Sequence, residues 1–104
     1  MSVLLEFAMF PTDKGESVSP YVSQIIKMIH DSGCDYQLTP MGTIIETDTL
    51  SAAMQVVESA YQILDQAGCD RIYSSLKLDI RKGKGGRLKG KVESVRDKIG
   101  EVRC

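Results

Sequence analysis

Three carboxylates, Glu6, Glu46 and Asp79, each interrupt a short apolar run that is typical of a β-strand. Side chains alternate between the two faces of a strand, so each carboxylate faces away from the apolar residues beside it. Ionised carboxylates accept hydrogen bonds from amino groups and attract cations. Their positions predict either a solvent-exposed sheet face or a surface that binds a polar ligand or another subunit.

A basic, glycine-rich segment at residues 82–90 leads into the last predicted helix. Residues 85–91 match the GxxxxGK spacing of a phosphate-binding loop, but Val92 stands where Ser or Thr would bind magnesium. We therefore interpret this segment as a flexible basic loop rather than a site of nucleotide hydrolysis. Its charges can attract an anion or RNA. Because no aromatic residue is interleaved to stack on bases, we do not expect nucleic-acid binding.

Catalytic and metal-binding patterns receive little support. The one histidine, His30, lies near the end of a predicted helix, where a surface or capping role is expected. Cys34, Cys69 and Cys104 form no CxxC pair, so we expect free thiols, with Cys104 in a terminal tail. No spacing indicates a nucleophile, a base and an orienting residue. We predict a protein that is not an enzyme and holds neither metal nor cofactor.

Length and composition indicate one ordinary globular domain, residues 1–104. Apolar residues make up 42% of the chain and charged residues 26%. The formal net charge of -1 gives no general attraction to nucleic acid or membranes. No leader pattern opens the chain, and no apolar run approaches the roughly 18 residues of a membrane span. We therefore expect a cytoplasmic protein.

Hydrophobic periodicity predicts strands at residues 3–10, 35–39, 43–47 and about 72–81, with a helix after the first, third and fourth strands. Ser19 before Pro20 is typical of a helix N-cap, and Asp48 or Thr49 can cap the second helix. The apolar stripe of the last helix runs from Leu88 to Val102.

The tripeptide Gly-Cys-Asp occurs at residues 33–35 and again at 68–70, each time between a helix and a strand. Strand, helix, strand thus occurs twice, which is the order of the ferredoxin-like fold. We predict an α+β sandwich with a four-stranded antiparallel sheet, two helices on one sheet face and an extra C-terminal helix. Alternation places Glu46 and Thr43 on opposite faces of their strand. If the apolar side of the fourth strand meets the helices, Asp79 lies on the face turned away from them.

The chain resembles the YkoF-like thiamine-binding family. The resemblance rests on residues 19–22, 32–33, 40–46, 67–71 and 77–81, of which the hairpin Pro-Met-Gly-Thr-Ile-Ile-Glu is the most specific. It implies a ferredoxin-like subunit, dimers that extend the sheet, tetramers, and non-catalytic binding of thiamine or a related pyrimidine near subunit contacts. The long Gly/Lys loop at residues 82–90 departs from the family pattern.

That ligand suggests roles for seven residues. Thiamine carries a positive thiazolium ring and an aminopyrimidine, so a carboxylate can accept from the amino group while an aromatic ring covers the ligand. The ligand-binding candidates are Glu46 first, then Asp79 and Glu6 for charge, Phe10 or Tyr21 for a ring contact, and Ser19 or Thr43 for a hydroxyl. Strand propensity alone also explains Thr43, and the helix cap explains Ser19 better than a ligand contact does.

We therefore expect a cytoplasmic homo-oligomer, a dimer or tetramer, that binds thiamine or a pyrimidine precursor as a carrier or sensor. The alternative is a regulatory or protein-interaction module. Its basic loop and last helix would then bind an anionic effector or a partner protein.

Overall fold

The computed structural model describes residues 1–83 and 85–100. Predictions that concern Lys84, the side chains of Lys89 and Lys91, Val102 or Cys104 lie outside the described residues.

Among the described residues, seven elements follow one another in the predicted order. They are β1 (Ser2–Pro11), α1 (Ser19–Asp31), β2 (Asp35–Thr39), β3 (Gly42–Thr47), α2 (Leu50–Gln66), β4 (Ile72–Arg81) and α3 (Arg87–Ile99). The strands form one antiparallel sheet in the order β2-β3-β1-β4. This is the predicted α+β ferredoxin-like arrangement with an additional C-terminal helix.

The core lies between the sheet and the pair α1 and α2. Alternate residues of β1 face these helices, and the buried set is Val3, Leu5, Phe7 and Met9. Ile25 and Ile29 of α1 and Leu64 of α2 pack against them. Each such side chain contributes roughly 1.5–3 kcal/mol by leaving water. The same alternation turns every second residue of β1 toward the opposite sheet face.

One of the two predicted helix caps is confirmed and the other is wrong. The hydroxyl of Thr49 accepts a hydrogen bond from the backbone N–H of Ala52 at 3.1 Å, as expected of a cap on α2. Ser19 is the first helical residue of α1, and Val18 occupies the N-cap position with no side-chain hydrogen bond. The Val18 carbonyl accepts from the N–H groups of Tyr21 and Val22, so the helix begins one residue before the expected place.

The strand β4 forms one edge of the sheet, beyond the area that the helices cover. Its apolar residues do face the helix side, opposite Phe7, Leu5 and Val3 of β1. Leu76, Leu78 and Ile80 nevertheless stay 40–45% exposed. The helices α1 and α2 pack mainly over β1 and β3, so the expected contact between this row and the helices is incomplete.

Candidate ligand-binding face

The sheet face turned away from α1 and α2 carries most of the predicted ligand-binding residues. We call it the open face. The strand register places on it Glu6 and Phe10 of β1, Glu46 of β3 and Asp79 of β4. Leu4 lies between Glu46 and Asp79 in the register, so these side chains are neighbours on one surface. The face predicted from alternation is therefore confirmed for the three carboxylates.

Glu46 is the most heavily hydrogen-bonded of these carboxylates. Its Oε2 accepts from the Ser2 hydroxyl at 2.5 Å and from the backbone N–H of Arg87 at 3.1 Å. Its Oε1 accepts from the backbone N–H of Leu88 at 3.0 Å. Arg87 and Leu88 open α3, where backbone N–H groups have no partner inside the helix. The Glu46 side chain thus caps α3 from a distant strand.

These contacts govern the ionisation of Glu46. Burial of the carboxyl raises its pKa, but the hydrogen bonds from Ser2, Leu88 and Arg87 and the positive charge of Arg87 lower the pKa by more. The result is a pKa below the ordinary value for glutamate. Glu46 is therefore an anion at neutral pH, which suits both the positive end of a helix dipole and a cationic ligand.

The Arg87 guanidinium ties the start of α3 to two strands. Its side chain is only 9% exposed and forms an ion pair with the Asp79 carboxylate at 3.1 Å. Its Nε donates to the Ser2 hydroxyl at 3.1 Å, and Nη2 donates to the Ser2 carbonyl at 3.0 Å and the Asp79 carbonyl at 2.5 Å. We call Ser2, Glu46, Asp79, Arg87 and Leu88 the Glu46–Arg87 network.

Ser2 was not predicted as a site residue, and Arg87 was predicted only as one of the basic residues of segment 82–90 that attract an anion. One local signal was available: α3 begins after Gly86, which has no side chain, so no neighbouring residue can cap it. A helix without a local cap needs water or a distant acceptor for its first N–H groups. The local sequence does not predict which strand supplies that acceptor.

The rest of the open face includes the carboxylates of Glu6 and Asp35 and the rings of Phe10 and Tyr73. The Glu6 carboxylate lies 3.6 Å from the Lys77 ammonium, with both side chains well exposed. The rings of Phe10 and Tyr73 lie 5.5 Å apart at 42°. Phe10 is half-buried, whereas Tyr73 is 57% exposed. Negative charge and aromatic surface therefore occur on the same sheet face.

Three predicted residues lie on the other side of the sheet. Thr43 is 4% exposed and pairs with Phe7 on the helix side of β3. Tyr21 packs against the core from α1, and Ser19 lies beside it at the start of the same helix. Within one chain the structure does not bring these three residues together with Glu46, Glu6 and Asp79, although Thr43 and Phe10 line one shared cavity.

Two shallow cavities occupy that helix side, between α1 and the β2–β3 hairpin. One has a volume of about 220 Å³ and is lined by Thr43 together with residues such as Phe7, Ile25 and Met41. The other, about 440 Å³, is lined by Ser19, Leu38 and apolar residues of α1. Neither lining includes a charged residue. These cavities therefore suit an apolar group better than a fixed cation.

His30 contacts a tyrosine hydroxyl, and Cys34 and Cys69 carry free thiols. His30 Nδ1 lies 2.8 Å from the Tyr36 hydroxyl, at the end of α1. Cys34 and Cys69 are free thiols, as predicted. Burial raises the pKa of the Cys34 thiol, and the charge of Asp35 adds to that effect.

Within residues 1–83 and 85–100, no group of three or more His, Cys, Asp or Glu side chains is placed to hold a metal ion. Across the same ranges, no helix combines the length and apolar character needed to cross a bilayer.

Comparison with known proteins identifies relatives over most of the chain. A UPF0045 protein of Methanothermobacter thermautotrophicus is 37% identical over 83 residues, which cover 80% of this chain and 84% of that protein. The Bacillus subtilis protein YqgV of the same group is 35% identical over 83 residues, covering 76% of this chain and 79% of the relative.

Solved structures share the fold. A hypothetical protein of Methanocaldococcus jannaschii superimposes with a TM-score of 0.77 at 32% identity, covering 90% of this chain and 95% of that one. A Thermotoga maritima protein, named for a suggested role in thiamine biosynthesis or salvage, superimposes with a TM-score of 0.78 at 21% identity, covering 92% and 100%.

The profile of a family described as "Thiamine-binding protein" matches residues 5–96. That span runs from β1 into α3 and contains Glu6, Glu46, Asp79 and Arg87, although Ser2 lies before it. The chain belongs to the thiamine-binding protein family.

Proposed function

We propose that this protein binds thiamine or a related aminopyrimidine on the open face, without catalysing a reaction, and acts as a carrier or sensor. The observation that carries the proposal is that the carboxylates of Glu6, Glu46 and Asp79 share this sheet face with two aromatic rings, in a member of a thiamine-binding family. The suggested thiamine role of the Thermotoga maritima relative supports the same ligand class.

The ligand chemistry matches this surface. Glu6 and Glu46 are diagonal neighbours on adjacent antiparallel strands, because Glu6 pairs with Ile44 and Glu46 follows two residues later. Diagonal neighbours of this kind are about 7–8 Å apart, with their Cβ atoms somewhat closer, so both carboxylates can contact one small ligand. One can accept a hydrogen bond from the amino group while the other attracts the thiazolium charge. The Phe10 and Tyr73 rings offer a surface for cation–π or stacking contacts.

We also propose that the protein forms oligomers, because one chain leaves the ligand surface incomplete. The β4 edge carries an exposed apolar row, Leu76, Leu78 and Ile80, that a second copy can cover by extending the sheet. We propose a cytoplasmic homodimer or homotetramer in which ligand lies near a subunit contact. The free thiols of Cys34 and Cys69 agree with a reducing compartment. Ser19, Tyr21 and Thr43 would need a neighbouring subunit to reach the same ligand.

Isothermal titration tests the ligand assignment. Thiamine, hydroxymethylpyrimidine and thiamine diphosphate are titrated into the wild type and into Glu6→Gln and Glu46→Gln. Loss of a charge-assisted hydrogen bond is expected to weaken binding by about tenfold or more in Glu6→Gln. A smaller decrease is expected in Glu46→Gln, because that substitution also weakens the contacts that hold α3 on the face. The matched control is Glu58→Gln, an exposed carboxylate of α2 on the other side of the sheet. Absence of heat with all three compounds would contradict the proposal.

A second candidate function rests on a cleft between α3 and the sheet. The cleft has a volume of about 460 Å³, and its lining includes Arg81, Arg87 and Lys98 as well as Asp79. Because Arg87 pairs with Asp79, the charges of Arg81 and Lys98 favour an anion there. This arrangement suits a regulatory module that binds an anionic effector. Binding of inorganic phosphate in the same titration, with no response to thiamine, would favour this alternative.

A further inference from the structure

The helix α3 is attached to the open face mainly at its first turns. Leu88 and Val92 are half-buried, whereas Val95 is 38% exposed and Ile99 is 67% exposed. The apolar stripe therefore contacts the protein at one end and faces solvent at the other. Since tertiary packing of an apolar stripe supplies most helix stability in proteins, this helix is held with little apolar burial.

The connection from β4 to α3 is rich in glycine. Gly83 has a φ of 77° and Gly86 a φ of 67°, a conformation that residues with a side chain rarely adopt. No heavy atom lies within 4 Å of the position where a Cβ would stand at Gly83, Gly85 or Gly86. These positions are not packed against the domain, so backbone rotation at Gly83 and Gly86 can reorient α3 without breaking core contacts.

Polar contacts supply most of the attachment. Glu46 accepts from two backbone N–H groups of α3, and Arg87 binds Ser2 and Asp79. Water can replace each of these contacts when the helix moves away, so the net cost of opening is far smaller than for an equal number of buried apolar contacts. The helix α3 can therefore detach and reattach by local opening, without unfolding of the whole domain.

The same contacts use the groups that the ligand needs. A carboxylate offers about four acceptor positions. Oε2 of Glu46 accepts from Ser2 and Arg87, and Oε1 accepts from Leu88, so three of the four positions are taken. Asp79 is paired with Arg87. An amino-bearing cation cannot engage both oxygens of Glu46 while α3 is in place.

We propose that α3 is an autoinhibitory cover that competes with the ligand for Glu46 and Asp79. The covered state holds both carboxylates in the Glu46–Arg87 network, and ligand binds after α3 turns away at Gly83 and Gly86. This inference rests on the proposed ligand-binding function. The apparent affinity of the protein is then the intrinsic affinity reduced by the fraction of molecules in which α3 is open.

The test uses full-length Arg87→Ala, which weakens the cover but leaves Glu46 unchanged. Arg96→Ala is the control, because Arg96 lies on the same helix, is exposed, and its side chain has no hydrogen bond or ion pair to the sheet among the described residues. Ser2→Ala is a second opening variant. Hydrogen exchange of α3 amides reports opening, and calorimetry with thiamine reports affinity. Thermal melts check that each variant is folded.

Arg87→Ala and Ser2→Ala are expected to speed α3 exchange and tighten thiamine binding by about fivefold to tenfold, with Arg96→Ala like the wild type. Faster exchange with unchanged or weaker affinity would overturn the inhibitory role. Unchanged exchange in both opening variants would overturn the attachment itself. If no protein binds thiamine, the ligand assignment and the inhibition both fail, while exchange still reports whether the network holds α3.

Discussion

The carboxylate of Glu46 accepts a hydrogen bond from the backbone N–H of Leu88 at 3.0 Å, across 42 positions of sequence. A glutamate in the middle of one antiparallel sheet thus serves as the cap of the C-terminal helix. Such a cap satisfies N–H groups that have no partner inside the helix and places negative charge at the positive end of its dipole.

Glu46→Gln is expected to loosen α3 while leaving the core intact. The amide keeps one acceptor oxygen but loses the charge, and its NH₂ group opposes a backbone N–H. Loss of a charged cap costs about 1 kcal/mol, so amide exchange in α3 should become about fivefold faster. Glu93→Gln, an exposed carboxylate on α3, is the control. Equal exchange rates in the two variants would contradict the capping role.

The attachment of α3 is expected to weaken at acidic pH. The pKa of Glu46 is lower in the docked state than its ordinary value, so its stabilisation is complete above that ordinary value and declines as pH falls through the lowered one. The guanidinium of Arg87 and the carboxylates of Asp79 and Asp35 also face this region. Amide chemical shifts of α3, followed by NMR between neutral and acidic pH, test this. A profile that stays the same in Glu46→Gln would assign the transition to another group.

Leu5→Ala is expected to destabilise the whole domain. Leu5 is fully buried at the centre of β1, so truncation leaves a cavity against both helices. The expected loss in the free energy of unfolding is about 2–5 kcal/mol, measured by urea denaturation. Leu38→Ala is the control, because Leu38 is 59% exposed, and it should change stability much less. A similar loss of stability in both variants would contradict the prediction that the loss depends on burial of the truncated side chain.

Two Gly→Ala substitutions are expected to have opposite effects. A Cβ at Gly42 would lie 3.0 Å from the backbone oxygen of Phe7, so Gly42→Ala must displace one strand and should cost about 1–3 kcal/mol. Gly90 lies inside α3 with open space where its Cβ would stand. Gly90→Ala should therefore stabilise α3 by about 1 kcal/mol. Thermal unfolding measures the first effect and amide exchange of α3 the second. A stabilising Gly42→Ala would contradict the close strand contact.

Leu78→Lys is expected to shift the protein toward the monomer. Leu78 is 40% exposed on the helix side of the edge strand β4, where the proposed second copy would pack. A lysine there places a charge in an apolar contact. Light scattering coupled to size exclusion measures the mass of the wild type, Leu78→Lys and the control Glu58→Lys on α2. A wild type that is monomeric at high concentration would remove oligomers from the proposal.

Local patterns were sufficient to predict much of this fold. Alternation in β1 and β4 placed Glu6 and Asp79 on the open face, and the repeated Gly-Cys-Asp tripeptide marked the end of both core helices. At those ends, Gly33 and Gly68 have φ values of 76° and 80°, which explains why glycine occurs there. These features depend on neighbours along the chain, so the sequence determined them by itself.

The candidate site depended on contacts that no local pattern encodes. Alternation already implied that Thr43 and Glu46 face opposite sides of β3, and the structure keeps them apart. Glu46 was predicted as a ligand contact, but it caps α3 because this helix turns back across the sheet. The direction of that turn depends on the φ angles of the glycines between β4 and α3, and a glycine φ can take either sign. The sequence thus determined that a carboxylate would stand on the open face. Tertiary structure decided that Leu88, Arg87 and Ser2 would bind it, because hydrogen-bond partners 41–44 positions away meet only when the chain has folded.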